Sequence, residues 1–244
     1  MRAFLAHQGV LYHSTNEDGA PHRTAVSNLI RGIWRVDPDR ALGLLRNRIF
    51  TDHPLTPVCE GMIKVAGKRF QSLTPAEWES RFSGFEGAHR LLGPSHVGVN
   101  DHAFDPAPAL PADLLAQFRS MARGIPAVSA LLLDPDGHPL LGSWSRTSED
   151  RTAHAEVNLV AAWFQRHRGP APRGSTLHVS LRPCAMCAAQ ILALSPEPGS
   201  LRVVFHEEDP GPASKNSCLV PGTDLWLKAG SPAWRARFIK NQDE

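Results

Sequence analysis

The sequence has no hydrophobic run long enough to span a bilayer, and its first twelve residues, Met1–Tyr12, lack the pattern of a signal peptide. It has only 4 cysteines in 244 residues, far below the density of a disulfide-stabilised secreted domain. The formal net charge is only +2, so the overall charge does not indicate nucleic-acid binding. These absences predict a cytoplasmic globular protein without a membrane anchor.

The charge is unevenly distributed along the chain. Residues 1–100 contain 12 Lys and Arg against 9 Asp and Glu, and residues 101–244 contain 14 against 15. An arginine-rich stretch in the first half contains Arg23, Arg31, Arg35, Arg40, Arg46 and Arg48. Such a stretch is more often a solvated helix face than a nucleic-acid-binding surface, and the sequence leaves both interpretations open.

Two short motifs contain the residue types of a metal site. A His-Ala-Glu sequence begins at His154, and a Pro-Cys-Ala-Met-Cys sequence supplies Cys184 and Cys187. One imidazole and two thiolates are three ligands for tetrahedral zinc, which leaves the fourth position open for water, as in catalytic sites. We therefore predict a Zn²⁺ ion bound by these three residues, with Glu156 as the catalytic group that transfers protons.

The hydrophobic pattern places both motifs at the starts of helices. Apolar residues at helical spacing follow each of them: Val157, Val160, Ala161 and Phe164 after the first, and Ile191 and Leu194 after the second. Helix N-termini favour thiolate and hydroxide through their dipoles. We therefore expect the two helix starts to point at one site.

Two other interpretations of the motifs remain open. A structural zinc site would need a fourth ligand, for which Cys218 is a candidate without ligand-like spacing. A thioredoxin-type redox pair would use the two cysteines of the second motif, but it would not need the histidine and glutamate of the first. The catalytic site is the favoured interpretation.

The chain is long enough for two domains. A Pro- and Ala-rich stretch at 105–111 predicts a linker between an N-terminal domain at 1–104 and a second domain at 112–244. The pattern of the second domain predicts these elements: helix Ala112–Ala122, strands Ala127–Leu133 and His138–Trp144, a helix from the first motif to Arg166, strand Thr176–Leu181, a helix from the second motif to Leu194, strand Leu201–His206, helix Asp224–Lys228 and strand Trp234–Ile239.

Two helix starts are visible in the first hundred residues. Thr74, Pro75 and Glu77 form a capping box with proline at the first helical position. Asp37 and Pro38 predict the start of a second helix, with these apolar residues inside it: Leu42, Leu45 and Ile49. We expect both patterns to serve core packing.

The motifs and the order of elements together resemble the zinc-dependent cytidine and deoxycytidylate deaminase superfamily, over about residues 110–240. The chain is most similar in motif to the bacterial tRNA adenosine deaminases, through the segment Gly137–Arg146, the Val203–Phe205 strand and the tail Gly222–Ile239. The resemblance implies an α/β fold: a cytidine deaminase-like mixed five-stranded sheet with helices on both faces. We expect a small α+β domain before it, and the last two strands to run parallel.

The resemblance also implies the site and the reaction. His154, Cys184 and Cys187 would bind zinc, and Glu156 would transfer protons, as in nucleobase deaminases. We further expect substrate contacts from Ser145, Ala155, Arg182 and Asp209. Two departures stand out: Ser145 occupies the position of an asparagine that contacts the nucleoside in the tRNA enzymes, and we expect no counterpart of their C-terminal helix after Ile239.

These observations predict a hydrolase that acts on C–N bonds of cyclic amidines, namely a deaminase of adenine or cytosine in RNA or another polynucleotide. One alternative substrate is a free base, nucleoside or nucleotide. An alternative from another class is a non-catalytic zinc-binding subunit of an editing complex, although the presence of Glu156 argues against it. The resemblance also implies a homodimer.

Overall fold

The computed structural model describes residues 1–17, 20, 22–67, 69–93, 103–104, 129–148, 150–195, 197, 200–209, 211 and 226–228. The chain forms two compact units: unit 1 contains Met1–Val97 and Thr147–Ala153, and unit 2 contains Gly98–Arg146 and His154–Glu244. The predicted linker at 105–111 lies outside the described residues, so the proposed domain boundaries remain a prediction. None of the described helices is long and apolar enough to cross a membrane.

Unit 1 contains a five-stranded mixed sheet. Its strands are β1 (Arg2–His7), β2 (Val10–Thr15), β3 (Arg48–Thr51), β4 (Arg69–Ser72) and β5 (Ala88–Leu91), in the order β4-β3-β1-β2-β5. The two outer pairs, β3–β4 and β2–β5, are parallel, and the inner pairs are antiparallel. Gln8 and Gly9 join β1 to β2 with positive φ angles of 46° and 73°, as a tight hairpin turn requires.

Helices cover unit 1's sheet. Helix α1 (Ala25–Val36) contacts β1, β2 and α3 (Pro57–Val65), and a threonine side chain caps each of these two helices. The predicted capping box begins the short helix α4 (Pro75–Trp78), which continues as a π-helical turn at Glu79–Ser83. Trp78 packs edge-on against Phe4 of β1, with ring centroids 5.0 Å apart. Unit 1 therefore has the small α+β fold expected from the sequence.

Two predictions for unit 1 are corrected by the structure. The helix expected to start at Asp37 is wrong, because Asp37 is the C-cap of α1 and helix α2 covers only Ala41–Leu44. Ile49 lies in β3, where backbone pairing with β1 and β4 determines its conformation. The arginine-rich stretch is not one surface either, because Arg31 is buried whereas Arg46 and Arg48 are exposed.

Unit 2 contains a mixed sheet whose six strands are β6 (Ala103–Phe104), β7 (Ser129–Leu133), β8 (Pro139–Trp144), β9 (Thr176–Leu181), β10 (Arg202–Glu207) and β11 (Trp226–Lys228). The strand order is β11-β10-β9-β7-β8-β6. Strands β9, β10 and β11 are parallel, and the other neighbours are antiparallel. This is the expected cytidine deaminase-like sheet, extended at one edge by the short strand β6.

The two motif-bearing helices pack against each other and against the sheet. They are α5 (Ala155–His167) and α6 (Ala185–Leu194). Their apolar faces join strand residues in one buried core, which includes Leu159, Val160, Ile191, Leu194, Leu177, Val179, Val203 and Phe205. Burial of these side chains holds the start of each helix at a fixed place beside the sheet.

One element of unit 2 differs from its prediction. Trp226–Lys228 are a strand and not part of a helix, because their backbone pairs in parallel with Val203–Phe205 of β10. Trp226–Lys228 runs parallel to β10. The parallel arrangement predicted for Leu201–His206 and Trp234–Ile239 stays a prediction, because the second of these strands lies outside the described residues. The helix predicted at Ala112–Ala122 and the strand predicted at Trp234–Ile239 lie outside the described residues.

Candidate metal centre

Each motif places one candidate ligand at the N-cap of a helix. His154 is the N-cap of α5 and Cys184 is the N-cap of α6, both with extended backbone. Neither side chain makes a capping hydrogen bond to its own helix. Cys187 is the third residue of α6, so it lies one turn from Cys184 on the same side of the helix. The three side chains are therefore available to bind one metal ion.

The three donor atoms form a compact triangle. His154 Nδ1 is 3.8 Å from Cys184 Sγ and 3.4 Å from Cys187 Sγ, and the two sulfur atoms are 3.6 Å apart. Tetrahedral zinc with ordinary bond lengths separates two sulfur ligands by about 3.8 Å and a sulfur from a nitrogen by about 3.6 Å. The donor set and its spacing therefore fit a tetrahedral zinc ion with one position left over.

The electrostatics of the triangle also suit a metal. Hydrogen bonding with Cys187 lowers the pKa of Cys184 to about 4, and His154 acts in the same direction. Burial raises the pKa of the Cys187 thiol. Burial alone would lower the pKa of His154, but its hydrogen bond with Cys184 and the charge of that residue raise it overall. Cys184 is therefore the sulfur most readily ionised, and the thiolate is the form that binds metals.

Glu156 lies beside the triangle as the second residue of α5. It is buried, and its Oε2 atom has no hydrogen-bond partner among the residues that the structure describes. Burial raises the pKa of this carboxyl group, and the neighbouring His154 acts against that shift. A buried carboxylate with an unsatisfied oxygen is costly unless a bound molecule satisfies it. The atom is thus suited to exchange a proton with a ligand of the site.

Two hydrogen bonds attach the start of α5 to strand β8. Ser143 Oγ donates to the carbonyl oxygen of Ala155 at 2.6 Å, and Asn158 Nδ2 donates to that of Trp144 at 3.0 Å. No local pattern in the sequence indicates the role of Ser143. Only the pairing of β8 with β7 and the position of α5 bring Ser143 to this carbonyl group.

The four predicted substrate residues have different surroundings. Ser145 directly follows β8 and is half-buried, and Ala155 is fully buried between His154 and Glu156. Arg182 forms an ion pair with Glu208 at 3.4 Å. Asp209 lies two residues after the end of β10. Substrate contact remains a prediction for all four.

Two further predictions concern groups away from the triangle. Cys218, the candidate fourth ligand of a structural site, lies outside the described residues. Within the described part of the chain, a second group of potential metal ligands is Asp134, Asp136 and His138 in the turn between β7 and β8. Two of its three residues are exposed, and Asp134 already accepts hydrogen bonds from His138. This turn therefore has an ordinary structural explanation.

Comparison with known families agrees with this geometry. Residues 119–222 match the family model of the Bd3614-like deaminases. The match covers 104 of the 244 residues, less than half of the chain. The matched range includes the whole candidate metal centre, and the match confirms the resemblance to the cytidine deaminase superfamily predicted from the motifs.

Comparison with individual proteins adds one structure. The chain is similar to a solved structure from a study of A-to-I editing by tRNA:A34 deaminases at the wobble position of transfer RNA, with 29% sequence identity. The match covers 47% of this chain and 92% of that chain, with a TM-score of 0.34. No curated protein matches the chain significantly. The comparisons therefore show a similarity of residues 119–222 to a deaminase family and do not specify a substrate.

Proposed function

We propose that this protein is a zinc-dependent hydrolytic deaminase of an amino-purine or amino-pyrimidine base. The observation that carries the proposal is the spacing of His154, Cys184 and Cys187, which fits tetrahedral zinc, beside the unsatisfied oxygen of Glu156. The match to a deaminase family supports the same reaction class. A metal bound by these residues would supply Lewis-acid activation of a water molecule.

Glu156 supplies the proton transfers that the reaction needs. Its carboxylate takes a proton from the attacking water and delivers it to the adjacent ring nitrogen, so that oxygen can add to the carbon that bears the amine. It then carries a second proton to the amino group, the carbon–nitrogen bond breaks, and ammonia leaves as the carbonyl forms. Burial raises the pKa of Glu156 towards neutral pH, where a carboxyl group can both accept and donate a proton readily.

We propose a base in RNA or another polynucleotide as the substrate. Exposed arginines of unit 1 support this choice, namely Arg46 at the start of a turn and the neighbouring pair Arg48 and Arg69. The latter two occupy paired positions on the parallel strands β3 and β4. Closely spaced exposed cations are suited to phosphate contacts. The polynucleotide substrate is a proposal, and so is the homodimer expected from the resemblance.

A comparison of matched substrates tests the proposed function. Ammonia release should be measured on adenosine, cytidine and oligonucleotides that contain each base, at low and moderate salt. We expect faster turnover of an oligonucleotide and loss of that advantage as the salt concentration rises, because phosphate contacts release counterions. Equal or faster turnover of a nucleoside, independent of salt, would instead assign the enzyme to free nucleosides. No turnover of any substrate by zinc-loaded protein would contradict a deaminase function.

A further inference from the structure

Two buried polar side chains connect strand β8 to the first turn of helix α5, and the proposed function assigns neither of them a role. Ser143 is 0% exposed and Asn158 is 3% exposed. A buried polar group is costly unless a hydrogen bond satisfies it, so the partner of each group indicates what it does. Both residues belong to unit 2, as do the residues of the candidate metal centre.

Ser143 acts on the peptide group that leads into Glu156. Strand alternation places Ser143 on the same face of β8 as Leu141, which belongs to the same buried core as the apolar face of α5. From that face its hydroxyl donates to the carbonyl oxygen of Ala155 at 2.6 Å. This carbonyl group and the backbone nitrogen of Glu156 belong to one planar peptide group. The hydrogen bond therefore restrains the backbone from which the Glu156 side chain extends.

Asn158 acts in the opposite direction, from the helix to the strand. Its backbone nitrogen donates to the carbonyl oxygen of His154 at 3.0 Å, so the residue is held in the first turn of α5. Its side-chain Nδ2 atom donates to the carbonyl oxygen of Trp144, the last residue of β8, also at 3.0 Å. That carbonyl group shares a peptide plane with the backbone nitrogen of Ser145, a candidate substrate contact. The second hydrogen bond therefore restrains the backbone that enters Ser145.

The two hydrogen bonds form a reciprocal pair between the same two elements. One joins a strand side chain to the helix backbone, and the other joins a helix side chain to the strand backbone. Burial of apolar surface holds the helix against the sheet, but it is non-directional and does not fix the position along the strand. The two directional bonds together fix that position. They thereby set the place of Glu156 relative to the end of β8.

We propose that Ser143 and Asn158 are positioning residues of the deaminase site: Ser143 orients the peptide group before Glu156, and Asn158 orients the peptide group before Ser145. Glu156 carries the carboxylate that transfers protons, so Ser143 influences the rate of the chemical step. Ser145 is the candidate substrate contact, so Asn158 influences substrate binding. These two roles rest on the proposed function, whereas the restraint of the two peptide groups does not.

A split between kcat and KM tests the two roles separately. The measurement uses zinc-loaded full-length protein and the nucleoside or oligonucleotide that the wild type deaminates fastest. Ser143→Val should lower kcat about 10-fold at nearly constant KM, because a displaced carboxylate affects mainly the transition state. Asn158→Leu should raise KM about 10-fold with a smaller change in kcat, because a displaced binding group weakens substrate and transition state alike. The control is Gln165→Ala, an exposed position near the other end of α5.

Rescue by a conservative variant separates positioning from packing. Threonine and valine have nearly the same shape, but only threonine keeps the hydroxyl group. Ser143→Thr should therefore retain most of the kcat that Ser143→Val loses. If the added methyl groups prevent folding, Ser143→Ala removes only the oxygen atom and should show the same loss of kcat; Asn158→Ala likewise replaces an unfolded Asn158→Leu. Equal losses in folded Ser143→Thr and Ser143→Val, or the same pattern of kcat and KM in the Ser143 and Asn158 variants, would overturn the proposal.

The carbonyl carbon chemical shifts of isotope-labelled protein give a readout that needs no activity. A hydrogen bond to a carbonyl oxygen polarises that group, so its loss shifts the resonance. Ser143→Ala should shift the Ala155 carbonyl more than that of Trp144, and Asn158→Leu should do the reverse. Wild-type protein that deaminates no substrate would contradict the proposed function, but these shifts would still decide whether the two side chains restrain their peptide groups. Unmoved Ala155 and Trp144 resonances in the respective variants would overturn the proposal.

Discussion

Both units bury polar side chains, but these groups are arranged differently. In unit 2, the donor atoms of His154, Cys184 and Cys187 lie 3.4–3.8 Å from one another. In unit 1, His22 and Arg31 are both buried basic groups, and burial lowers the pKa of His22, with smaller contributions from the charges of Arg23 and Arg31. Donor atoms that lie close together can bind one cation jointly. Each buried basic group, by contrast, needs its own stabilising interaction. The comparison shows that burial of polar groups alone does not identify a functional site.

The largest effect is expected for Glu156, beside the candidate metal centre of unit 2. Glu156→Gln should retain zinc and the fold but lose activity by about 10²–10⁴-fold, because the amide cannot transfer protons. Activity and zinc content should be measured on the same preparation. Gln165→Ala is the matched control on the same helix, because Gln165 is exposed near the other end of α5. Glu156→Gln with full activity would show that another group transfers the protons.

The next effect separates a catalytic metal site from a structural one. Cys184→Ser should lose most of its zinc and some thermal stability, because binding of the metal is coupled to folding. Cys218→Ser should leave the zinc content unchanged, since three ligands suffice when the fourth position is open. Metal analysis of the purified variants checks both results. Loss of zinc from Cys218→Ser would favour the four-ligand structural site.

The buried bases of unit 1 predict a dependence of stability on pH. Burial, together with Arg23 and Arg31, lowers the pKa of His22 from 6.5 to about 3. Between these pH values the unfolded chain binds a proton that the folded protein does not. With respect to this group, the free energy of unfolding is therefore highest above pH 6.5, and it decreases as the pH falls towards 3. The slope for one such group approaches about 1.4 kcal/mol per pH unit.

The unfolding free energy of wild type and His22→Gln between pH 5 and 6.5 measures this slope. We expect the wild type to lose stability faster than the variant as the pH falls across this range. His167→Gln serves as the control, because His167 is exposed. Parallel pH profiles for wild type and His22→Gln would mean that folding does not lower the pKa of His22.

The sequence was most informative where chemistry and local structure coincide. Each motif and the apolar residues at helical spacing that follow it lie within a few helical turns of the sequence. They therefore predict the three metal-ligand candidates without knowledge of the fold. The superfamily fold followed from the order of these motifs and strands. The support of α5 by Ser143 could not be predicted, because a hydrogen bond to Ala155 depends on the position of one element relative to another.

The incorrect predictions also concern features that depend on contacts between distant parts of the chain. Trp226–Lys228 are too few to show a strand period, and only their pairing with β10 makes them a strand. In unit 1, the parallel pairs β3–β4 and β2–β5 join residues that are far apart in the chain. The burial of Arg31 was equally hidden, because its arginine-rich surroundings are typical of an exposed helix face. Local patterns predict sites well, whereas long-range pairing is visible only in the structure.

The smallest expected effect concerns the exposed cations of unit 1. Replacement of both Arg46 and Arg48 by Ala should weaken oligonucleotide binding and reduce the slope of log K against log salt by about 2, since each phosphate contact contributes about 1. Arg40→Ala is the control from the same stretch. Its guanidinium is already engaged by Asp37 at 3.5 Å and by Gln8, so its loss should change the slope less. Titrations at several salt concentrations measure the slopes, and zinc content should stay constant in all variants. An unchanged slope in the Arg46/Arg48 variant would exclude this surface as the phosphate contact and would leave the nucleic-acid proposal to depend on turnover data alone.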